Sequence, residues 1–394
     1  MPDSLRSPPA GTLIQPISSG VLAAVVGFAS AFAIVLAGFT AAGAGQAEAA
    51  SGLFAITLGQ GLLGIVFGLV TRAPITIAWS TPGAALLIAT GAPAGGYPAA
   101  TGAFLAAGAL VVIAGVWRPF GRAVAAIPLP LAGAMLAGIL LELCLAPLHS
   151  VEALPTLTLP IIAAWAVALR FARPYAIPIA VVVTAVIVAW ATPLPPGALA
   201  HLAPHPVFIA PAFTLPALIG IAVPLFIVTM ASQNVPGLAV LRVNGYKPDV
   251  GPIFLWTGLG SMTVALFGGH SLNLAAITAA LCAGPEAHPD PAKRWIASVA
   301  CGVAYVFIAF GATFATAFVA ASPPLLIEAV AGLALLGSLG SALSSALARE
   351  EHRLPAIVTF VTTASGVSFF GIGAAFWGLI AGGALMATLR IGRH

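Results

Sequence analysis

The sequence predicts an all-α polytopic membrane protein with fourteen transmembrane segments in two inverted seven-segment repeats, the third and tenth segments being half-helices. Three observations lead there. Of 394 residues, 60% are hydrophobic and 6% charged, and no polar stretch is long enough for a soluble domain. The fourteen Lys and Arg residues all fall in alternate loops once the apolar runs are counted off. Two short, interrupted segments stand at corresponding places in the two halves.

A span needs ~20 apolar residues, or fewer where neighbours shelter a broken helix. The first repeat, residues 1–192, gives segments at 17–43, 50–71, 74–90, 97–117, 123–144, 155–170 and 175–192. A Pro- and His-rich linker on the outer side follows at 193–211. The second repeat, 212–394, gives 212–236, 250–266, 268–283, 295–321, 324–347, 355–369 and 371–389. The apolar run from Ile17 to Ala42 is longer than the ~7 to 15 residues of a signal-peptide core and is expected to be the first span.

With Arg6 in the cytoplasm, the same side holds Arg72, Arg118, Arg122, Arg170, Arg173, Arg242, Lys247, Lys293, Arg294, Arg349, Arg353, Arg390 and Arg393. Both termini are therefore expected to be cytoplasmic. An odd number of segments per half starts the second half on the opposite side, the condition for an inverted repeat.

The net charge of +4 comes from basic residues in ones and twos, so no nucleic-acid partner is expected. Cys144, Cys282 and Cys301 lie in apolar runs without metal-ligand or C-x-x-C spacing and read as packed small side chains. No metal and no organic cofactor is expected.

The third segment contains AWSTPGAALL, Ala78 to Leu87; the tenth contains GGHSLNLAAITAAL, Gly268 to Leu281. In each, small and hydroxyl residues precede an apolar stretch, where Ser80, Thr81, Ser271 or Asn273 could cap a helix beginning inside the membrane. Such a helix start leaves N–H groups without intrahelical partners and carries the positive dipole end. Two of them facing each other hold a carboxylate without Lys or Arg. Pro82 suits a first helical turn and Gly83 allows close backbone approach to a ligand; a mere kink in a packed helix is the alternative.

WSTPGAALL (Trp79 to Leu87), PLFIVTMASQNVPGLAVLRVNGY (Pro224 to Tyr246), GGHSLNLAAITAALCAGPEAHPDPAKRW (Gly268 to Trp295) and TTASGVSFFGIGAAFWGL (Thr362 to Leu379) resemble the benzoate:proton symporter family of bacterial inner-membrane transporters. The resemblance implies uptake of benzoate or a similar aromatic carboxylate with protons as the coupling ion. It also implies the larger fold of nucleobase, sulfate and bicarbonate transporters, in which a core domain moves against a gate domain. Here the core is expected at approximately 17–117 plus 212–321 and the gate at approximately 123–192 plus 324–389. Related folds often dimerise through the gate, so a homodimer is compatible with this reading. Nucleobase carriers present acidic residues from the eighth and tenth segments; by similarity Ser232 and His270 stand there. Losing both carboxylates suits an anionic substrate.

His270, the one histidine expected at depth, is a natural proton carrier, the alternative being a neutral ring tying down unwound backbone. Ser232, Gln233 and Asn234 are the most polar run in any segment and should face protein or a water-filled cavity. Trp79 and Phe28 could stack on an aromatic ring, or simply pack. The expected substrate contacts are thus Trp79, Ser80, Thr81, Pro82, Gly83, Ser232, Gln233, Asn234, His270, Ser271, Leu272 and Asn273. Glu142 and Glu328, read as the only acids inside segments, join His270 as proton-coupling candidates, with exposure at helix ends as the alternative. Gly284 to Trp295 reads as a rigid cytoplasmic turn. The rivals are another anion or a nucleobase on the same fold, and, less favoured, an intramembrane enzyme or a channel. No nucleophile–base pair or H-E-x-x-H spacing supports the enzyme.

Overall fold

A computed structural model of the protein describes residues 13–117, 119, 128–191, 203–275 and 277–391. Arg6, Arg118, Arg122 and Arg393, the side chain of Arg390, residues 123–127 of the fifth segment and 193–202 of the linker lie outside the described residues.

The first half runs α1 (Ile14–Ala29), α2 (Phe32–Ala41), α3 (Gln46–Thr71), β1 (Ile77–Trp79), α4 (Thr81–Thr90), α5 (Gly96–Val116), α6 (Leu129–Ala153), α7 (Pro155–Phe171) and α8 (Ala176–Ala191). The second runs α9 (Leu215–Val243), α10 (Val250–Ala265), β2 (Leu272–Leu274), α11 (Ile277–Ala283), α12 (Trp295–Ala309), α13 (Ala312–Ala321), α14 (Pro324–Leu347), α15 (Arg353–Ala364) and α16 (Ala374–Ile391). Among the described residues, eight helical stretches are long and apolar enough to cross a membrane.

Several boundaries differ from the sequence reading. The Glu48 carboxylate accepts from the Gly45 N–H at 2.7 Å, so α3 starts at Gln46 and takes Glu48 into the helix. Helix α6 continues past residue 144 to Ala153, adding His149 and Glu152; Glu142 and Glu328 are therefore not the only acids in these helices. Helix α15 ends at Ala364, where Gly366 and Gly371 take positive φ in an irregular connection to α16. The described helix of the tenth segment starts at Ile277, and Asn273 lies in β2, so Ser271 and Asn273 stand before the helix rather than capping it.

Two packing groups emerge. In one, α3 and α1 lie on α12, α5 on α10, and α2 on α4; in the other, α6 lies on α14 and α15, α15 on α16, and α7 on α8. Close approach relies on small residues, as in helix pairs within lipid. A Cβ on Gly302 of α12 would stand 2.6 Å from the Gly61 carbonyl of α3, and one on Gly258 of α10 would stand 2.8 Å from the Gly108 carbonyl of α5.

Three of the basic loops meet. The Arg72 guanidinium lies 4.2 Å from the centre of the Trp295 ring, and the Tyr246 hydroxyl donates to the Pro291 carbonyl at 2.8 Å. Arg294 is buried, its guanidinium donating to the carbonyls of His288 (2.7 Å) and Ala283 (2.9 Å). The turn from Gly284 to Trp295 is thus clamped onto the end of α11, as a rigid turn requires. All three cysteines are free and buried.

Candidate substrate site

Strands β1 and β2 pair antiparallel, with Ile77 opposite Leu274, Ala78 opposite Asn273 and Trp79 opposite Leu272. Two-stranded ladders of this kind are marginal alone, and here side chains of three helices take up outward-facing backbone groups. On the α3 side, the Trp79 N–H donates to Gln60 Oε1 at 2.8 Å. On the α10 side, Ser261 Oγ accepts from the Leu272 N–H at 2.8 Å and donates to the Leu272 carbonyl at 3.2 Å. From α9, Asn234 Oδ1 accepts from the Leu274 N–H at 2.9 Å. The first strand is extended further by the Ala275 N–H, which donates to the Thr76 carbonyl at 3.0 Å.

Helix α4 begins where β1 ends. Ser80 Oγ accepts from the Gly83 N–H at 3.0 Å, and the Ala84 N–H makes the first intrahelical bond to the Ser80 carbonyl at 2.9 Å. Pro82 has no N–H. In the amide orientation that satisfies both of its ends, Asn273 accepts from the Ser80 N–H at 3.1 Å and donates to the Leu274 carbonyl at 2.9 Å. That leaves the half-buried Thr81 as the residue whose N–H carries the open end of the α4 dipole. The described part of α11 is about two turns, so α4 has the stronger positive end.

His270 is fully buried in front of β2. Its Nε2–H donates to the Ser80 carbonyl at 2.8 Å, and the ring meets Phe39 and Phe104 edge-on at centroid distances of 5.6 and 6.5 Å. The histidine thus bonds the two interrupted segments across 190 residues of sequence. Its Nδ1, and Ser271 Oγ, are buried without a hydrogen-bond partner. Continuing the strand register sets Ser80 across from Ser271. Trp79 is buried with Phe28 at 5.6 Å between ring centroids. A Cβ on Gly83 would stand 2.6 Å from a Leu225 methyl, so the close approach Gly83 allows is to helix α9.

The structure therefore brings Trp79, Ser80, Thr81, Pro82, Gly83, Asn234, His270, Ser271, Leu272 and Asn273 to one crossing. Ser232 and Gln233 lie half-buried in the π-helical turn Met230–Asn234 of α9. Glu142 and Glu328 are elsewhere: with His149 they line a cavity of about 680 Å³ between α2 and the start of α3 on one side and α6, α13 and α14 on the other. Sequence reasoning missed Gln60, Ser261 and Thr229, whose hydroxyl donates to Ser80 Oγ at 3.1 Å. A lone glutamine in an otherwise apolar run was the available signal for Gln60. His149 was missed because α6 was cut short.

The crossing offers neutral donors and one helix dipole, with no Lys or Arg among the residues named, which suits a single negative charge held by dipoles. Residues 11–388 match the family model of BenE, described as benzoate membrane transport protein. A protein of Escherichia coli K12 named inner membrane protein YdcO is 39% identical over 373 residues, 95% of each chain. A benzoate membrane transport protein of Acinetobacter baylyi is 33% identical over 335 residues, 84% of each. Among solved structures, the transmembrane domain of the cyanobacterial bicarbonate transporter BicA superposes with a TM-score of 0.58 at 17% identity, covering 93% of this chain and 96% of that one. The murine anion transporter Slc26a9 gives 0.63 at 14% identity, covering 99% of this chain and 69% of that one. The fold is that of these multi-pass membrane transporters, and the chain belongs to the benzoate membrane transport protein family, a family of transporters and not of enzymes.

Proposed function

We propose that this protein imports benzoate or a similar aromatic carboxylate together with protons across the bacterial inner membrane by alternating access. The observation that carries the reading is the crossing itself: two interrupted segments, hydrogen-bonded to each other and flanked by neutral donors, at corresponding places in the two halves. The named activity of the Acinetobacter relative supports benzoate, and the name of the Escherichia coli relative supports the inner membrane.

In this reading the fourteen segments form two inverted repeats, with β1–α4 and β2–α11 as the half-helix segments. The group of α1–α5 with α9–α13 is the core; α6–α8 with α14–α16 is the gate. The substrate carboxylate sits at the N-terminus of α4, against the Thr81 N–H and hydroxyl and near Ser271, with Ser232 and Gln233 on α9 closing the polar side. Trp79 and Phe28 supply the apolar, aromatic wall. Protons are the coupling ion, with no organic cofactor, and both termini are cytoplasmic. A homodimer in the bilayer is compatible with this arrangement.

The test is labelled benzoate influx into proteoliposomes under an inward proton gradient, with and without a protonophore, after subtracting passage through protein-free vesicles. Protein-dependent influx that the protonophore abolishes is the expected result. Influx of a different anion alone would transfer the mechanism to the rival substrate on the same fold.

A further inference from the structure

The cavity between the two helix groups is separate from the crossing, and its charge is one-sided. Its walls follow helical stripes: Glu142, Ala146 and His149 lie at i, i+4 and i+7 on α6, and Glu328, Ala331 and Leu335 at i, i+3 and i+7 on α14. The facing stripe of α2 is alanine, isoleucine, leucine and threonine, and α13 adds one threonine, a valine and an alanine. The start of α3 contributes Gln46, which does not titrate, while the nearby Glu48 carboxylate is engaged by the Gly45 N–H. The titratable groups facing the cavity are therefore Glu142 and His149 from α6 and Glu328 from α14, with none from α2, α4 or α13 among the described residues. No Lys or Arg lines it, and neither glutamate has an ion-pair partner among the described residues.

We propose that this cavity is the outer antechamber of the transport path and that Glu142 and Glu328 are its proton acceptors. The inference rests on the benzoate–proton reading above and assigns the proton within it. A substrate carboxylate arriving between α2 and the α6–α14 pair meets two uncompensated carboxylates. Like charges in a partly apolar cavity repel, and the repulsion is relieved when a proton from the outer solution binds one of them. Anion and proton therefore raise each other's affinity, which is the thermodynamic content of symport. His270 is committed differently: its N–H is bonded to the Ser80 carbonyl, its ring is wedged between Phe39 and Phe104, and it does not line the cavity.

The experiment uses the purified full-length protein. Benzoate binding is measured by calorimetry in two buffers of different ionisation heat, which gives protons taken up per benzoate, alongside benzoate counterflow in proteoliposomes at equal pH. Wild type should take up about one proton per benzoate; E142Q/E328Q should take up close to none while keeping counterflow, and E142D/E328D should restore the uptake. H149Q should behave as wild type. If the double variant does not fold, each single glutamine variant should show reduced uptake. Wild-type proton uptake in E142Q/E328Q, or in both single variants, would overturn the inference, as would loss confined to H149Q. Benzoate binding by wild type without proton uptake overturns this inference and leaves the substrate reading standing. Absence of both binding and counterflow in wild type overturns the substrate reading and the inference with it.

Discussion

The two interrupted segments solve one problem in two ways. The first, Ile77–Thr90, settles the start of its helix locally: Ser80 caps α4 through the Gly83 N–H, Pro82 removes a donor, and a single residue separates strand from helix. The second, Leu272–Ala283, has its strand held by side chains from other helices, Ser261 of α10 and Asn234 of α9, with Asn273 reaching across to Ser80. Local satisfaction leaves a trace in neighbouring residues. Satisfaction at a distance leaves only a polar residue in an apolar helix, with no mark of what it serves.

That contrast can be broken by mutation. Asn234→Leu should have the largest effect, because it strands the buried Leu274 N–H with no local substitute, a cost of about 1–3 kcal/mol. It should appear as a lowered melting temperature in detergent together with lost transport. Ser80→Ala removes a cap and should cost about 1 kcal/mol by the same melt, while Ser80→Asn retains most of it. If Ser80→Ala destabilised more than Asn234→Leu, the local-versus-remote distinction would be wrong. Thr229→Val, which removes only a donor to Ser80 Oγ, should cost roughly 0.5–1.5 kcal/mol. Thr81→Val retains the backbone donor, so it should weaken benzoate affinity in a binding titration by no more than about tenfold, a single neutral hydrogen bond. At the bottom of the range, Arg353→Gln breaks an exposed pair with Glu350 at 3.7 Å and should leave melting and counterflow unchanged.

The same contrast explains what was legible. Charge placement and apolar runs located most of the helices, because lipid forces each to be apolar and each loop end to be marked. WSTPG announced the start of α4 through residues that act on their own neighbours. The start of α11 is not readable: Ser271 and Asn273 resemble caps, yet pairing with β1 holds Asn273 in extended backbone, a tertiary constraint no local pattern encodes. Asn234 was recognised as polar and consequential, but its bond to Leu274 depends on a crossing between segments far apart in sequence. Glu142 and Glu328 read as acids inside segments near their outer ends; that they share a cavity with His149 depends on α6 running about two and a half turns further than hydropathy indicates.

The pairing of β1 with β2 also has a consequence for biogenesis. The bond from His270 to Ser80 joins residues 190 apart, so the first strand emerges from the ribosome well before its partner exists. At about 5–20 residues per second, the delay is roughly 10–40 s. During that interval the polar backbone of Ile77–Trp79 has, of its partners in the finished fold, only Gln60 of the preceding helix to bond with, and the rest must be met by water or by the insertion machinery.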